Sequence, residues 1–350
     1  MKIALTYSSK QGLLQEYKRY RGNKFHEAEI PADFFAEGDS PETIKAVMEA
    51  LRSNGHNVVG IEANDAVEAN LIKHGPELVF NMAEGLFGDF RESKVPIICE
   101  QLGIPYTGSD PLTLAICLNK ARAKEVLSYY LIPTPAFRVF YPLQEINVEE
   151  VEFPAIVKPV SEGSSKGIFN DSVVLNATDA KKKIREKIQR YNQPVMIERF
   201  LTGDEYTVAI WGNGDDIEIL PVVAINYQNL PEGAQPIYSY EAKWIWDTPQ
   251  QPLEIFQCPA TLESIRQERI EDVVRDTYQV MGIRDWCRVD VRMDDQGIPH
   301  ILELNPLPGI LPKPEDNSCF PKAAHTAGYH YADMLNRVLE FAAKRYGLPL

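Results

Sequence analysis

Cysteine is scarce here and badly spaced for chemistry. The five cysteines, at 99, 117, 258, 287 and 319, are scattered and form no CxxC pair. That removes the spacing of a zinc site and leads us to expect a reduced, cytoplasmic setting. The six histidines are dispersed and no GxSxG elbow occurs, so Ser–His–acid hydrolysis finds no constellation. No run of eighteen apolar residues exists, and no membrane span or membrane partner is expected. Residues 1–7 enter a strand-like run without the apolar core and cleavage site of a secretory signal, so none is expected. Basic residues are outnumbered, 36 Lys and Arg against 50 Asp and Glu for a net charge of −14. Nucleic acid is therefore not an expected partner. A nucleotide is a separate matter, because a few local lysines with Mg²⁺ overcome a global field. Neither the P-loop pattern nor GxGxxG appears, and no internal repeat is visible.

What is present is an ordinary globular composition, 44% hydrophobic and 25% charged over 350 residues. That length predicts two or three domains. The most informative stretch runs from Trp286 to Gly309. Arg288, Asp290 and Arg292 alternate with Val289, Val291 and Met293, the period of a half-buried strand. Asp294-Asp-Gln-Gly297 reads as a turn, and the residues from His300 to Asn305 alternate again, which predicts a β-hairpin. Arg288, Asp290, Glu303 and Asn305 then share a face. Their carboxylate and amide oxygens suit Mg²⁺ held between protein and phosphate, and the arginine suits an anion that develops during reaction.

Upstream, short apolar runs at residues 2–7, 56–61 and 78–81 alternate with helical patterns, which predicts a parallel sheet with crossover helices. Residues 10–38 mix tyrosines with both charge signs and read as an irregular insertion. Ser40-Pro41 opens a helix as cap and first residue. Gly103–Asp110 reads as a strand and turn, and one helix is expected from about Leu112 through Lys124. Ile132-Pro-Thr-Pro135 reads as a stiff hinge. Strands are expected at 153–158, 195–200 and from 202, and helices at about 179–191 and 330–344. Residues 226–258 lack periodicity, the habit of a segment that covers a site.

Gly163-Ser-Ser-Lys-Gly167 has the glycines and hydroxyls of a phosphate-covering loop. Read alone, a plain turn explains it equally. It follows a strand ending on Lys158, a point charge well placed for phosphates. Lys120 and Lys243 are further candidates, with solvated lysines as the alternative. Glu198 and Glu205 flank the turn at Gly203 and could accept hydrogen bonds from a base or ribose, or simply be exposed.

Taken in order, these motifs resemble the ATP-grasp superfamily, in its D-alanine–D-alanine ligase branch. The likeness rests on Gly103-Ile-Pro-Tyr-Thr-Gly-Ser, Asn119-Lys120 with Lys124, Val157-Lys158-Pro159, Glu162-Gly-Ser-Ser-Lys-Gly167, Ile197-Glu198, Gly203-Asp-Glu205, Tyr240-Glu-Ala-Lys243, Arg288-Val-Asp290 and Glu303-Leu-Asn305-Pro-Leu-Pro-Gly309. The resemblance implies an α/β and α+β architecture. A parallel-sheet N-terminal domain (1–115) precedes two α+β domains (116–204 and 205–350) that clasp ATP. It further implies that Lys120, Lys158 and Lys243 meet the phosphates beneath Ser164 and Ser165. Glu198 and the chain after it, Arg199, Phe200 and Leu201, would meet the adenine, and Glu205 the ribose. Asp290, Glu303 and Asn305 would bind two Mg²⁺, with Mn²⁺ as a substitute. Arg288 and the amide of Gly309 would stabilise an oxyanion, and Ser164 keeps the family's loop serine. A homodimer is expected on the same ground.

The departures lie in the substrate loops. Tyr7-Ser-Ser-Lys-Gln-Gly12 replaces the family's Gly-Gly-x-Ser-x-Glu signature, so the glutamate that orients the substrate amine has no clear equivalent. Glu84-Gly-Leu-Phe-Gly-Asp89 replaces a His-Gly loop, Trp244 replaces a tyrosine, and the segment 313–317 before Ser318 is longer. Glu84, Trp244 and Ser318 are the expected substrate contacts. The sequence therefore predicts a ligase of a small-molecule carboxylate and an amine, at least one of them an amino acid. A specialised-metabolite ligase of the mycosporine type fits the changed loops. A D-alanine–D-alanine ligase and a non-catalytic ATP-binding protein are the alternatives.

Overall fold

A three-stranded parallel sheet opens the chain. The computed structural model describes residues 1–22, 30–31, 33–247, 251–313, 316 and 318–349. Its first elements are β1 (Lys2–Tyr7), α1 (Lys10–Arg21), α2 (Pro41–Ser53), β2 (Asn57–Glu62), α3 (Val67–His74), β3 (Leu78–Asn81) and α4 (Lys94–Leu102), with strand order β2-β1-β3. Successive β1 residues face opposite sides, Ile3 and Leu5 joining one buried cluster and Ala4 another. Both faces are covered, as parallel strands require.

Residues 10–21 correct the sequence reading, which expected irregular chain. Ser9 Oγ accepts the Gly12 N–H at 2.9 Å and opens α1, an ordinary N-cap. Only Leu13 and Tyr17 of this helix are buried. So thin an apolar stripe among Gln, Glu, Lys and Arg gives little periodic signal. Residues 33–38 make tight turns, with Ala36 N–H on Asp33 O and Gly38 N–H on Phe35 O. Residues 23–29 and 32 lie outside the described ones.

The helix expected from Leu112 is two, α5 (Pro111–Leu118) and α6 (Lys120–Tyr129). Asn119 breaks it with ψ 96 and caps α6 by accepting the Arg122 N–H. An asparagine inside a helical pattern favours this local bond. The strand expected over 103–110 is a single bridge from Tyr106 to Val79. A second, antiparallel sheet holds β4 (Phe137–Phe140), β5 (Ala155–Pro159), β6 (Val173–Val174) and β7 (Val195–Arg199) in the order β4-β7-β5-β6. Helix α7 (Ala177–Tyr191) covers it through Ala180 and Ile184.

The third sheet runs β11-β10-β8-β12-β13, with β9 beside β8. Its strands are β8 (Glu205–Trp211), β9 (Glu218–Ile219), β10 (Val223–Ile225), β11 (Phe256–Gln257), β12 (Trp286–Met293) and β13 (Pro299–Asn305). Helix α8 (Ser264–Val280) packs Ile270, Val274 and Tyr278 on one face. The other face meets α9 (Cys319–Thr326) and α10 (Tyr331–Tyr346), and that core continues into the N-terminal sheet. Phe80 of β3 meets Trp286 edge-on at 5.8 Å, and Trp286 meets Phe320 at 5.4 Å. Edge-on pairs add about 0.5–1.5 kcal/mol beyond area burial. Asn336 of α10 donates to Ala50 O of α2 at 2.9 Å, so the last helix fastens the first sheet to the last. Among the described residues no helix is long and apolar enough to cross a membrane.

Candidate active site

The hairpin expected from the sequence forms, and it floors a cleft of about 340 Å³. Arg288 pairs opposite Asn305 and Asp290 opposite Glu303, and cross-strand partners share a face. Arg288 reaches two residues along its own strand and grips Asp290 twice, Nε to Oδ1 at 3.1 Å and an Nη to Oδ2 at 3.0 Å. Thr207 Oγ1 on β8 donates to the same carboxylate at 2.6 Å, and Asn305 Nδ2 at 3.2 Å. Glu303 takes Lys120 Nζ at 2.7 Å. Burial would neutralise Arg288, but the Asp290 carboxylate outweighs it and holds the guanidinium charged.

These donors fit a divalent cation only as part of a shell. Two carboxylates and one amide are hard oxygen ligands, and among the described residues no group of three His, Cys, Asp or Glu side chains stands ready for a metal. Mg²⁺ commonly takes one or two carboxylates and completes its octahedron with phosphate and water. Lys120 and Arg288 now supply the cationic partners of Glu303 and Asp290.

A second cluster lies deeper. Glu198, 3% exposed, accepts Lys158 Nζ at 2.5 Å and pairs with Lys124 Nζ at 3.0 Å. Burial pushes the Glu198 carboxyl up, but the two ammonium groups outweigh it and leave it below its ordinary range. Burial draws Lys124 down to about 8 against the pull of Glu198. The Glu198 carboxylate is thus engaged by lysines rather than turned toward a base. The sequence marks Lys124 as part of the Asn119-Lys120 motif, one helical turn after Lys120, without assigning it a role. Beside this cluster Phe200, Ile156 and Ile237 make an apolar wall. Glu205 is likewise engaged, by Arg292 at 2.9 Å, whose guanidinium also lies 4.6 Å from the Phe200 ring centre. Arg199 and Leu201 line the same cleft.

Above the floor hangs the glycine loop. Ser164 and Ser165 both take positive φ, 50 and 59, which costs a non-glycine residue roughly 1–2 kcal/mol each. Ser165 Oγ donates to Tyr238 O, and Trp244 Nε1 donates to Ser164 O at 3.2 Å. Lys243, from the wide turn at 242–246, is pushed below its ordinary range by burial and then by Arg288. Across the cleft Ser318 Oγ donates to Gly309 O at 2.7 Å and Tyr331 hydroxyl to Ile310 O. Those bonds steady the Pro306–Gly309 turn, while Gly309 N–H donates to no described group. Ser318 is 7% exposed and engaged with this turn. Of the longer segment before it, residues 314, 315 and 317 lie outside the described ones.

The N-terminal wall holds residues the sequence reading overlooked. Glu84 lines the cleft as expected, but Asp39 and Glu92 line it too. Asp39 accepts the Ser8 N–H at 3.0 Å. Burial raises its carboxyl to about 8, and raises Glu92 to about 7 and Glu84 well upward. Three carboxyl groups crowd one wall, an environment that favours a cationic ligand. Asp39 lies one residue past the stretch read as an insertion, where no periodic signal marked it.

Comparison with known proteins points to one family. The family model described as the D-ala D-ala ligase C-terminus matches residues 136–340. An uncharacterized protein of Sinorhizobium fredii is 31% identical over 309 residues, covering 86% of this chain and 87% of its own length. The D-alanine–D-alanine ligase of Glaesserella parasuis is 36% identical over 303 residues, covering 85% and 91%. Among solved structures, that of a D-alanine–D-alanine ligase from Bacillus anthracis complexed with ATP matches with a TM-score of 0.72 at 22% identity, covering 99% of each chain. At that identity the likeness is one of fold.

Proposed function

The chain belongs to the D-alanine–D-alanine ligase family of ATP-grasp enzymes, and from that premise we propose how it acts. It uses ATP and Mg²⁺ to join a small carboxylate to an amine, an amino acid supplying at least one of them. The carboxylate takes the terminal phosphoryl group of ATP, leaving ADP and an acyl phosphate. The amine nitrogen then bonds to the acyl carbon, phosphate departs, and the nitrogen gives up a proton. The observation that carries this reading is the hairpin face, where Arg288, Asp290, Glu303 and Asn305 stand together in the cleft that Gly309 also lines.

In this reading Arg288 and Gly309 N–H stabilise the oxyanion of the tetrahedral intermediate. Lys120, Lys158 and Lys243 meet phosphates under Ser164 and Ser165, and Arg199, Phe200 and Leu201 border the adenine. Glu198 serves by holding Lys158, and Glu205 borders the ribose. Asp290, Glu303 and Asn305 would hold two Mg²⁺, or Mn²⁺ in their place, which neutralise phosphate oxygens. The units 1–115, 116–204 and 205–350, a homodimer and a cytoplasmic setting complete the proposal.

The substrates in this reading are not two D-alanines. Trp244 replaces a phenol, and the wall of Asp39, Glu84 and Glu92 offers a differently built place for an ammonium group. A specialised-metabolite ligase fits those changes. D-alanine–D-alanine ligation is the second reading, favoured by the 36% identical relative of that name. The test is phosphate release from Mg-ATP against D-alanine, L-amino acids and a panel of larger carboxylates. A strong signal with D-alanine alone selects the second reading; a signal with another pair selects the first. Failure of every pair, with ATP still bound, would overturn both.

A further inference from the structure

Two N–H groups of the glycine loop are held by carboxylates. Gly163 N–H donates to Glu37 at 2.8 Å, and Gly167 N–H to Asp33 at 2.9 Å. Both carboxylates come from the turn at 33–38, more than a hundred residues away in the chain. They are firmly held themselves. Glu37 pairs with Arg91 at 2.8 Å, with side chains only 4% and 5% exposed, and Arg91 also donates to Ser161 O. Asp33 is fully buried and accepts the Tyr191 hydroxyl at 2.6 Å. Lys166 lies 4.7 Å from the Phe34 ring centre and pairs with Glu162 at 2.8 Å.

These bonds bracket the two residues whose left-handed backbone aims the loop, Ser164 and Ser165. Neither serine has an N–H engaged by any described group, so the bracketed pair is what remains for phosphate oxygens. A charge-assisted bond at each end orients them before any nucleotide arrives. The fit is close, because a Cβ added at Gly163 would stand 2.7 Å from Glu37 Oε1.

Resting on the proposed ATP reading, we infer that the turn at 33–38 is a strap that presets the glycine loop for nucleotide phosphates. Glu37 and Asp33 are its positioning residues. Asp39, two residues after Glu37, lines the acidic wall of the same cleft, so the strap also ties the loop to the N-terminal side of the site. Lost loop order therefore weakens binding of a triphosphate and leaves binding of a nucleoside unchanged.

The test compares the full chain with Asp33→Ala/Glu37→Ala, Glu37→Gln and Gly163→Ala. Hydrogen exchange is followed over residues 160–169, and calorimetry measures binding of Mg-AMP-PNP and of adenosine. Expected are faster exchange in the loop, AMP-PNP affinity lower by about tenfold, and unchanged adenosine affinity. Glu37→Gln keeps an acceptor for Gly163 but drops the charge on Arg91, and it remains informative if the double variant fails to fold. Folded variants with unchanged loop exchange, or with AMP-PNP and adenosine weakened alike, would overturn the strap. A wild-type chain that binds no AMP-PNP would instead sink the ATP reading, and loop exchange would still judge the strap.

Discussion

Arg288 holds Asp290 by two hydrogen bonds, 3.1 and 3.0 Å long, although the two residues are neighbours on one face of one strand. That grip holds the guanidinium from within its own strand. It also leaves Asp290 reachable from the opposite strand, where Asn305 meets it at 3.2 Å. In the proposed function one pair thus serves both the oxyanion site and the metal site.

Replacing Arg288 by alanine should lower turnover by roughly 10²–10³, the usual cost of losing one oxyanion donor. Affinity for Mg-AMP-PNP should stay within a few-fold. Lysine at this position should not rescue, because it lacks the planar fork. Steady-state kinetics beside calorimetry decide it, and equal loss of turnover and nucleotide binding would contradict the assigned role.

Lys124 supports the fold as well as the cleft. Lys124→Met removes one of the two ammonium groups on the 3% exposed Glu198 and should destabilise the protein by about 3 kcal/mol. Urea unfolding measures this. The double change Lys124→Met/Glu198→Gln should recover part of the loss, since the carboxylate left short of a partner is then gone.

Asp39 gives stability a pH signature. Its carboxyl is raised from 3.8 to about 8 by burial. The folded state therefore holds a proton that the unfolded state has lost, and the residue's contribution declines as pH rises through that window. Asp39→Asn keeps an acceptor for the Ser8 N–H and should match wild type near pH 4. Above pH 8 it should be the more stable of the two. Melting temperatures from pH 4 to 8.5 test the crossover, and a constant offset would contradict it.

Much of the chain was legible because its signals were local. The alternation around Arg288 and the Asp294–Gly297 turn specified the hairpin face, and the Ser40-Pro41 start specified α2. Features without a local signal escaped. Helix α1 buries too few residues to show its period, and Asn119 breaks a helix only because its side chain caps the next one. Glu37, Asp33 and Asp39 gain meaning solely from partners far along the chain. Glu198 and Glu205 were legible as positions, yet Lys124 and Arg292 decide what their carboxylates do.

Glu303 should govern the metal requirement. Glu303→Gln keeps the shape but removes the charge facing Lys120. The Mg²⁺ concentration at half-maximal turnover should rise by about tenfold or more, and chelation of the metal should abolish turnover in both proteins. A magnesium titration that leaves the two proteins superimposed would contradict a ligand role.

The most direct measurement follows oxygen. For the reacting pair found by the panel, tried first with D-alanine, the donor carboxylate is labelled with ¹⁸O and the products are weighed. One labelled oxygen carried into inorganic phosphate, with ADP as the nucleotide product, is the result expected of acyl-phosphate ligation. Label appearing in AMP, or phosphate free of label, would contradict it.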